Sequence, residues 1–191
     1  MDYLYHGSST PGITALEARS RLHGTDKMVV YLTDCVPYAL FYVWDSQHTG
    51  SGRKHVTGAC RNGQAIYEEQ FPDHLRTFYQ GVSGYLYRIP HTDAIQTVEN
   101  RDGLFWQEGN AAVADAVFIP DVYTELMKYE ATGQLRVLRF NEQTDARKAE
   151  LTGMIATAIR QNNFFEGDDE QQQFMQTHFT ASWRIAHEQA D

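Results

Sequence analysis

A histidine closes the first apolar stretch of the chain, Tyr3-Leu4-Tyr5-His6, and Gly7 and Ser8 follow it at once. Tyr31 sits inside the next strong strand signal, Met28 to Thr33, and Tyr42 lies eleven residues further on, across a short helix signal. A strand-end histidine can hydrogen-bond a hydroxyl. A glycine beside it lets a ligand approach the backbone N–H and C=O with no Cβ in the way. Two tyrosines offer aromatic faces to a flat ring.

The elements that must position these residues are short. Met28-Val29-Val30-Tyr31-Leu32-Thr33 is β-branched and aromatic, the composition of a buried strand. Asp34 is placed to cap a helix that runs through Leu40 to Trp44, with Pro37 in its first turn. Leu16 to His23 reads as a short helix, and residues 45–65, glycine-rich and poor in apolar side chains, as a loop with room for a hairpin. A short helix is expected over Glu68 to Tyr79 and a strand over Gly84 to Pro90. Another strand lies within Ala111 to Ile119 and ends at Pro120. Asp121 to Glu130 reads as a helix stopped by Gly133, and Leu135 to Phe140 alternates as a half-exposed strand does. The tail is helical: Leu151, Ile155, Ala158 and Ile159 share a face with Met154 beside them, and Phe174, His178, Phe179 and Ile185 mark a second amphipathic helix.

Composition sets the class. At 191 residues the chain is long enough for one good domain and short for two. Hydrophobic residues are 42% and charged residues 21%, which excludes a disordered chain or a fibre. Sixteen Lys+Arg against 25 Asp+Glu gives a net charge of −9, which disfavours binding to duplex nucleic acid. The longest apolar runs, such as Tyr38 to Trp44, fall far short of the ~20 residues of a membrane span. Met1-Asp2-Tyr3 lacks the basic-then-apolar opening of a secretory leader. The expectation is therefore a cytoplasmic protein that does not engage a membrane, with Cys35 and Cys60 as reduced thiols.

Tyr5-His6-Gly7-Ser8, then Val30-Tyr31-Leu32-Thr33-Asp34, then Ala39-Leu40-Phe41-Tyr42 resembles the ADP-ribosyltransferase superfamily. The likeness is to the branch shared by diphtheria-type toxins and poly(ADP-ribose) polymerases, named for its His–Tyr–Glu triad. It implies an α+β fold of split, mixed β-sheets around an NAD cleft in residues 1–140. From its periodicity, the tail over residues 141–191 is expected to be a helical extension packed on that core. The resemblance also implies an enzyme that takes NAD as substrate, breaks the nicotinamide–ribose bond and passes ADP-ribose to an acceptor. By the resemblance, His6 and Gly7 position NAD, the histidine on a ribose hydroxyl and the glycine backbone on the carboxamide. Tyr31 and Tyr42 flank the nicotinamide ring, and Ser8 and Thr33 add hydrogen bonds. The third member of the triad is a glutamate at the start of a later strand, and Glu108, just before the apolar Val113 to Ile119 segment, is the choice. Its carboxylate would hold the ribose 2′-hydroxyl and stabilise the positive charge that develops as nicotinamide leaves. Glu125 and Glu130 read as helical, and Glu68 and Glu69 come too early in the order of motifs. The catalytic set is thus Glu108, His6 and Tyr31.

The chain departs from the family in two places. Ala39 stands where polymerase-type members often carry serine. Trp106 lies two residues before Glu108, so the Glu-x-Glu pattern of arginine-modifying members is absent, which argues against arginine as acceptor. The acceptor stays open between protein, nucleic acid, a small molecule and water. Two rival readings stand beside this one. An NAD-dependent RNA 2′-phosphotransferase type would want a basic groove, which the net charge opposes. A non-catalytic module of the same fold would bind NAD, a nucleotide or a protein without turnover.

Plain readings exist for every residue named. His6 is also a satisfied strand-end histidine, Tyr31 and Tyr42 core aromatics, and Glu108 a solvated acid. Arg19 reads as a pyrophosphate contact or a surface arginine. Gly50-Ser51-Gly52-Arg53-Lys54 lacks the spacing of a phosphate loop. His48, His55 and Cys60 match no standard zinc spacing, so no metal site is expected.

Overall fold

The computed structural model describes residues 3–45, 57–166 and 169–188. The opening apolar stretch is β1 (Tyr3–Ser8), followed by the two-residue strands β2 (Ala15–Leu16) and β3 (Ser20–Arg21) and by β4 (Met28–Thr33). Helix α1 (Val36–Leu40) leads to β5 (Gly58–Arg61) and β6 (Gln64–Glu68), then α2 (His74–Tyr79), β7 (Gly84–Pro90), β8 (Ile95–Thr97) and β9 (Leu104–Glu108). After β10 (Ala111–Ala112) and β11 (Asp115–Ile119) come α3 (Val122–Ala131), β12 (Leu135–Leu138), α4 (Asp145–Gln161), α5 (Asp169–His178) and α6 (Thr180–Glu188). The fold is α+β, as its alternating short strands and helical tail imply.

Seven strands make the principal sheet, in the order β11-β7-β1-β4-β9-β8 with β3 beside β4. Every ladder in it is antiparallel. This corrects the expectation of a mixed sheet. Parallel neighbours need a crossover of a dozen residues or more. Here β3–β4 and β8–β9 are consecutive strands joined by short turns, and Asn100 and Gly103 take positive φ in the second of them. Two smaller sheets, β10-β2 and β12-β6-β5, complete the strands.

The apolar run of β4 is buried on both faces. Val30 and Leu32 join Leu4, Leu16, Tyr87, Ile89, Ile95 and Ala111 in one core cluster, while Val29 is buried on the other side. Each such side chain contributes about 1.5–3 kcal/mol relative to exposure. The segment Leu16 to His23 is not the expected helix. It supplies β2 and β3, whose pairing with β10 and β4 overrides the helix-compatible Leu-Glu-Ala-Arg composition. Asn62-Gly63, both at positive φ, form the two-residue turn of the β5–β6 hairpin within what reads from the sequence as loop. Residues 46–56, with His48, His55, Arg53 and Lys54, lie outside the described residues.

Contacts divide the chain into two units. The first runs to Trp44 and includes Gly58–Tyr67 and Tyr79–Val137, and so holds the principal sheet and α1. The second joins Glu68–Phe78 to the chain from Leu138 onward. Its aromatic core packs Phe71 against His178 at 4.5 Å and against Phe179 at 5.3 Å. The buried Glu69 carboxylate accepts the N–H groups of Leu75 and Phe140, at 3.2 and 3.0 Å. In α4 the buried face is Leu151, Ile155, Ala156 and Ile159, while Met154 is exposed. The expected second tail helix is two, α5 and α6. Among the described residues no helix is long and apolar enough to cross a membrane.

Candidate functional site

β1 pairs with β7 along its whole length, from Tyr3↔Pro90 to Ser8↔Tyr85, but with β4 at the single position Tyr5↔Thr33. Past Tyr5 the two strands part. Across the opening, His6 Nδ1 stands 3.2 Å from the main-chain oxygen of Tyr31. A carbonyl oxygen only accepts, so Nδ1 carries the proton and, in the neutral ring, Nε2 is an acceptor. That tautomer suits the acceptance of a hydroxyl proton at Nε2.

Gly7 comes next on β1. A Cβ there would stand 2.0 Å from the carbonyl oxygen of Ala39 and 3.0 Å from Val43. The glycine therefore admits α1 against the sheet. Direct opposition of Tyr5 and Thr33 puts Tyr5, Gly7, Tyr31 and Thr33 on one face of the sheet, and α1 lies over it at Gly7. His6 alternates toward the side of Tyr87, its direct partner on β7.

Helix α1 begins at Cys35, which occupies the N-cap without a side-chain cap bond; Asp34, the expected cap, stands one residue earlier. The helix ends at Leu40, so Tyr42 stands in the turn beyond it. Its hydroxyl lies 3.0 Å from that of Tyr38, and the two rings meet edge to face at 5.5 Å. Burial, reinforced by Tyr42 alongside, pushes the Tyr38 phenol well above its ordinary range. Thr33 is 3% exposed. Its hydroxyl donates to Gly103 O at 2.6 Å and accepts from Cys35 N–H at 3.1 Å. Its one proton is committed to the corner between β4 and α1, so it does not donate to a ligand in this arrangement. Ser8 Oγ accepts the N–H of Thr10 at 3.2 Å and stays half-buried at the end of β1.

Glu108 ends β9 rather than opening the next strand. Tyr31 faces Trp106 directly and Val29 faces Glu108, so Tyr31, Trp106 and Glu108 share one face of the β4–β9 pair. Such diagonal neighbours lie roughly 7–8 Å apart. The Glu108 carboxylate is exposed and meets Lys27 Nζ at 2.7 Å; the same ammonium lies 5.5 Å from the Trp106 ring centroid. Lys27, Trp106 and Tyr38 are the neighbours that sequence reasoning missed. Lys27 is 81 residues from Glu108, and only the β4–β9 register brings them together.

The other glutamates are engaged elsewhere. Glu68 holds Arg147 through both oxygens, at 2.8 and 2.7 Å, and Glu125 pairs with Lys128 in α3. Arg19 is exposed on Glu17 at 2.6 Å. Cys60 is buried in β5. Among the described residues no group of three or more His, Cys, Asp or Glu is placed to hold a metal ion.

The arrangement joins His6 to Tyr31 by a hydrogen bond and Tyr31 to Glu108 by a shared face. Tyr42 is tied to the same side through α1 and Gly7. Searches against family models, curated proteins and solved structures return no match to this chain.

Proposed function

We propose that the chain is an NAD-dependent ADP-ribosyltransferase. The observation that carries this reading is the parting of β1 from β4 past Tyr5, with His6 and Tyr31 joined across it. A side chain there replaces a stretch of ladder, and a sheet opened in this way exposes main-chain polar groups to a ligand. The likeness of the three short motifs to the superfamily supplies the substrate.

In this reading His6, held by Tyr31 through Nδ1, accepts a ribose hydroxyl proton at Nε2. The Tyr31 and Tyr42 rings flank the nicotinamide, and Ser8 adds a hydrogen bond at the end of β1. Glu108 turns from Lys27 to the 2′-hydroxyl of the nicotinamide ribose. Its negative charge then stabilises the cationic sugar as the bond to nicotinamide breaks. The bonding electrons leave with nicotinamide, and the acceptor nucleophile donates the pair that forms the new bond to ribose. Thr33 holds the corner from which α1 and Tyr42 are presented.

One observation favours a second reading, a module that binds NAD or a nucleotide without turnover. Glu108 is neutralised by Lys27 at 2.7 Å. A permanently paired carboxylate would leave a binding cleft with no catalyst. Incubation of the purified protein with NAD separates the two: free nicotinamide supports the transferase, and binding without release supports the module.

A further inference from the structure

The chain has two cysteines, and they are neighbours. Cys35 is the N-cap of α1 and Cys60 lies in β5, the two 5% and 7% exposed. Each thiol lies within electrostatic reach of the other. Cys35 Sγ also points at the Gly63 carbonyl, 4.0 Å away in the turn after β5. Gly103 packs on Cys60 and on the residue before Cys35: a Cβ there would stand 2.7 Å from Cys60 Sγ and 2.8 Å from Asp34 Oδ1. The turn after β5 thus bounds the Cys35 sulfur, and Gly103 bounds the Cys60 sulfur while touching Asp34, the neighbour of Cys35 in the chain. Both belong to the same unit of the chain.

We propose that Cys35 and Cys60 are a dithiol that a hydroperoxide converts to an intramolecular disulfide, tying the N-terminus of α1 to β5. The Cys60 thiolate attacks one peroxide oxygen, and the O–O bond breaks. Cys60 becomes a sulfenic acid, and the departing hydroxide takes up the proton the thiol gave up and leaves as water. The Cys35 sulfur then attacks Cys60 Sγ. The S–O bond breaks, a second water leaves with the Cys35 proton, and the S–S bond forms. Two thiols lose two electrons in all, and one peroxide gains them. A small dithiol restores the pair by exchange.

Burial makes the conversion slow at neutral pH. It pushes the Cys35 thiol up to about 12 and raises the Cys60 thiol as well. Since the thiolate is the nucleophile, the rate climbs about tenfold per pH unit below those values. The inference stands apart from the NAD reading, because nothing in it requires NAD to bind.

The full chain, in native buffer, is treated with hydrogen peroxide, unfolded in an alkylating reagent and weighed. The expected result is loss of both alkylatable thiols, a mass lower by about 2 Da, and full recovery of two thiols after a dithiol reductant. The rate should rise steeply between neutral and mildly alkaline pH, and the oxidised chain should unfold at a higher temperature than the reduced one. Cys35→Ser and Cys60→Ser should each block the bridge. Four results would overturn the proposal: thiols that persist, independent conversion of each to sulfinic acid, a bridge between two chains on a non-reducing gel, and a bridge that lowers the unfolding temperature.

Discussion

The ring of His6 on β1 reaches the main-chain oxygen of Tyr31 on β4 at 3.2 Å, at the point where the two strands cease to pair. Tyr31 thereby serves two partners. Its carbonyl sets the tautomer of His6, while its side chain lies on the face that carries Trp106 and Glu108. One residue of a central strand thus links the histidine, which alternates toward the Tyr87 side of the sheet, to the opposite face, which carries the carboxylate.

Gly7 tests whether α1 depends on the missing Cβ. A methyl group there would overlap the Ala39 carbonyl at 2.0 Å, a main-chain atom that cannot rotate aside. Gly7→Ala should lower stability by about 1–3 kcal/mol, the usual cost of overpacking. Chemical denaturation checks this. Gly153, inside α4 with nothing within 4 Å of its added Cβ, supplies the contrast. Gly153→Ala should raise stability by roughly 0.5–1 kcal/mol, through helix propensity alone.

Lys27 tests the state of Glu108. The pair is exposed, so its removal should move the unfolding temperature little, exposed ion pairs being worth ~0–1 kcal/mol. Lys27→Met keeps an apolar stem near Trp106 and releases the carboxylate. Nicotinamide release from NAD should be kept or rise a few-fold, by about 1.4 kcal/mol per tenfold at most. A loss as deep as that of a Glu108 variant would mean that Lys27 itself works in the reaction.

His178 sets a pH dependence in the second unit. It stacks on Phe71 at 4.5 Å and 30° and lies 4.7 Å from Phe174. Burial lowers its pKa below the ordinary 6.5. The folded chain then binds the proton less readily than the unfolded one. Its contribution to stability is full above about 6.5 and is lost as the pH falls through the lower folded value. His178→Phe, which keeps an aromatic ring against Phe71, should remove that part of the loss. Urea titrations of both proteins at about pH 7.5 and about pH 5.5 make the comparison. An equal loss in the two would contradict it.

What the sequence disclosed followed from local chemistry. The β-branched run of β4, the helix signal of α3 and the apolar face of α4 are legible because each is written within one element. The structure adds that Asp121 caps α3: it accepts Thr124 N–H at 2.6 Å and also Gly81 N–H at 2.6 Å. Burial opposes its charge, yet those donors hold its carboxyl below the ordinary range. What stayed hidden depends on distant pairing. Leu16 to His23 has helical composition and becomes β2 and β3 only because β10 and β4 claim it. Glu108 reads as the prelude to a strand, but the β4–β9 register makes it the last residue of one and sets Lys27 on it. The role of Thr33 turns on Gly103, 70 residues away. The joining of Glu68–Phe78 to the C-terminal helices rests on an aromatic cluster that no periodicity announces.

The central claim is that this chain cleaves NAD with Glu108 as its carboxylate and His6 as its ribose contact. The direct measurement is release of free nicotinamide from NAD by the purified chain and by Glu108→Gln and His6→Ala. Cell extract supplies acceptors, and circular dichroism confirms that each variant is folded. The account predicts release by the unaltered chain and a fall of roughly 100- to 1,000-fold in Glu108→Gln, the scale on which loss of a charge-stabilising group acts. His6→Ala should fall as well. Undiminished release from Glu108→Gln, or none from the unaltered chain with extract present, would contradict it.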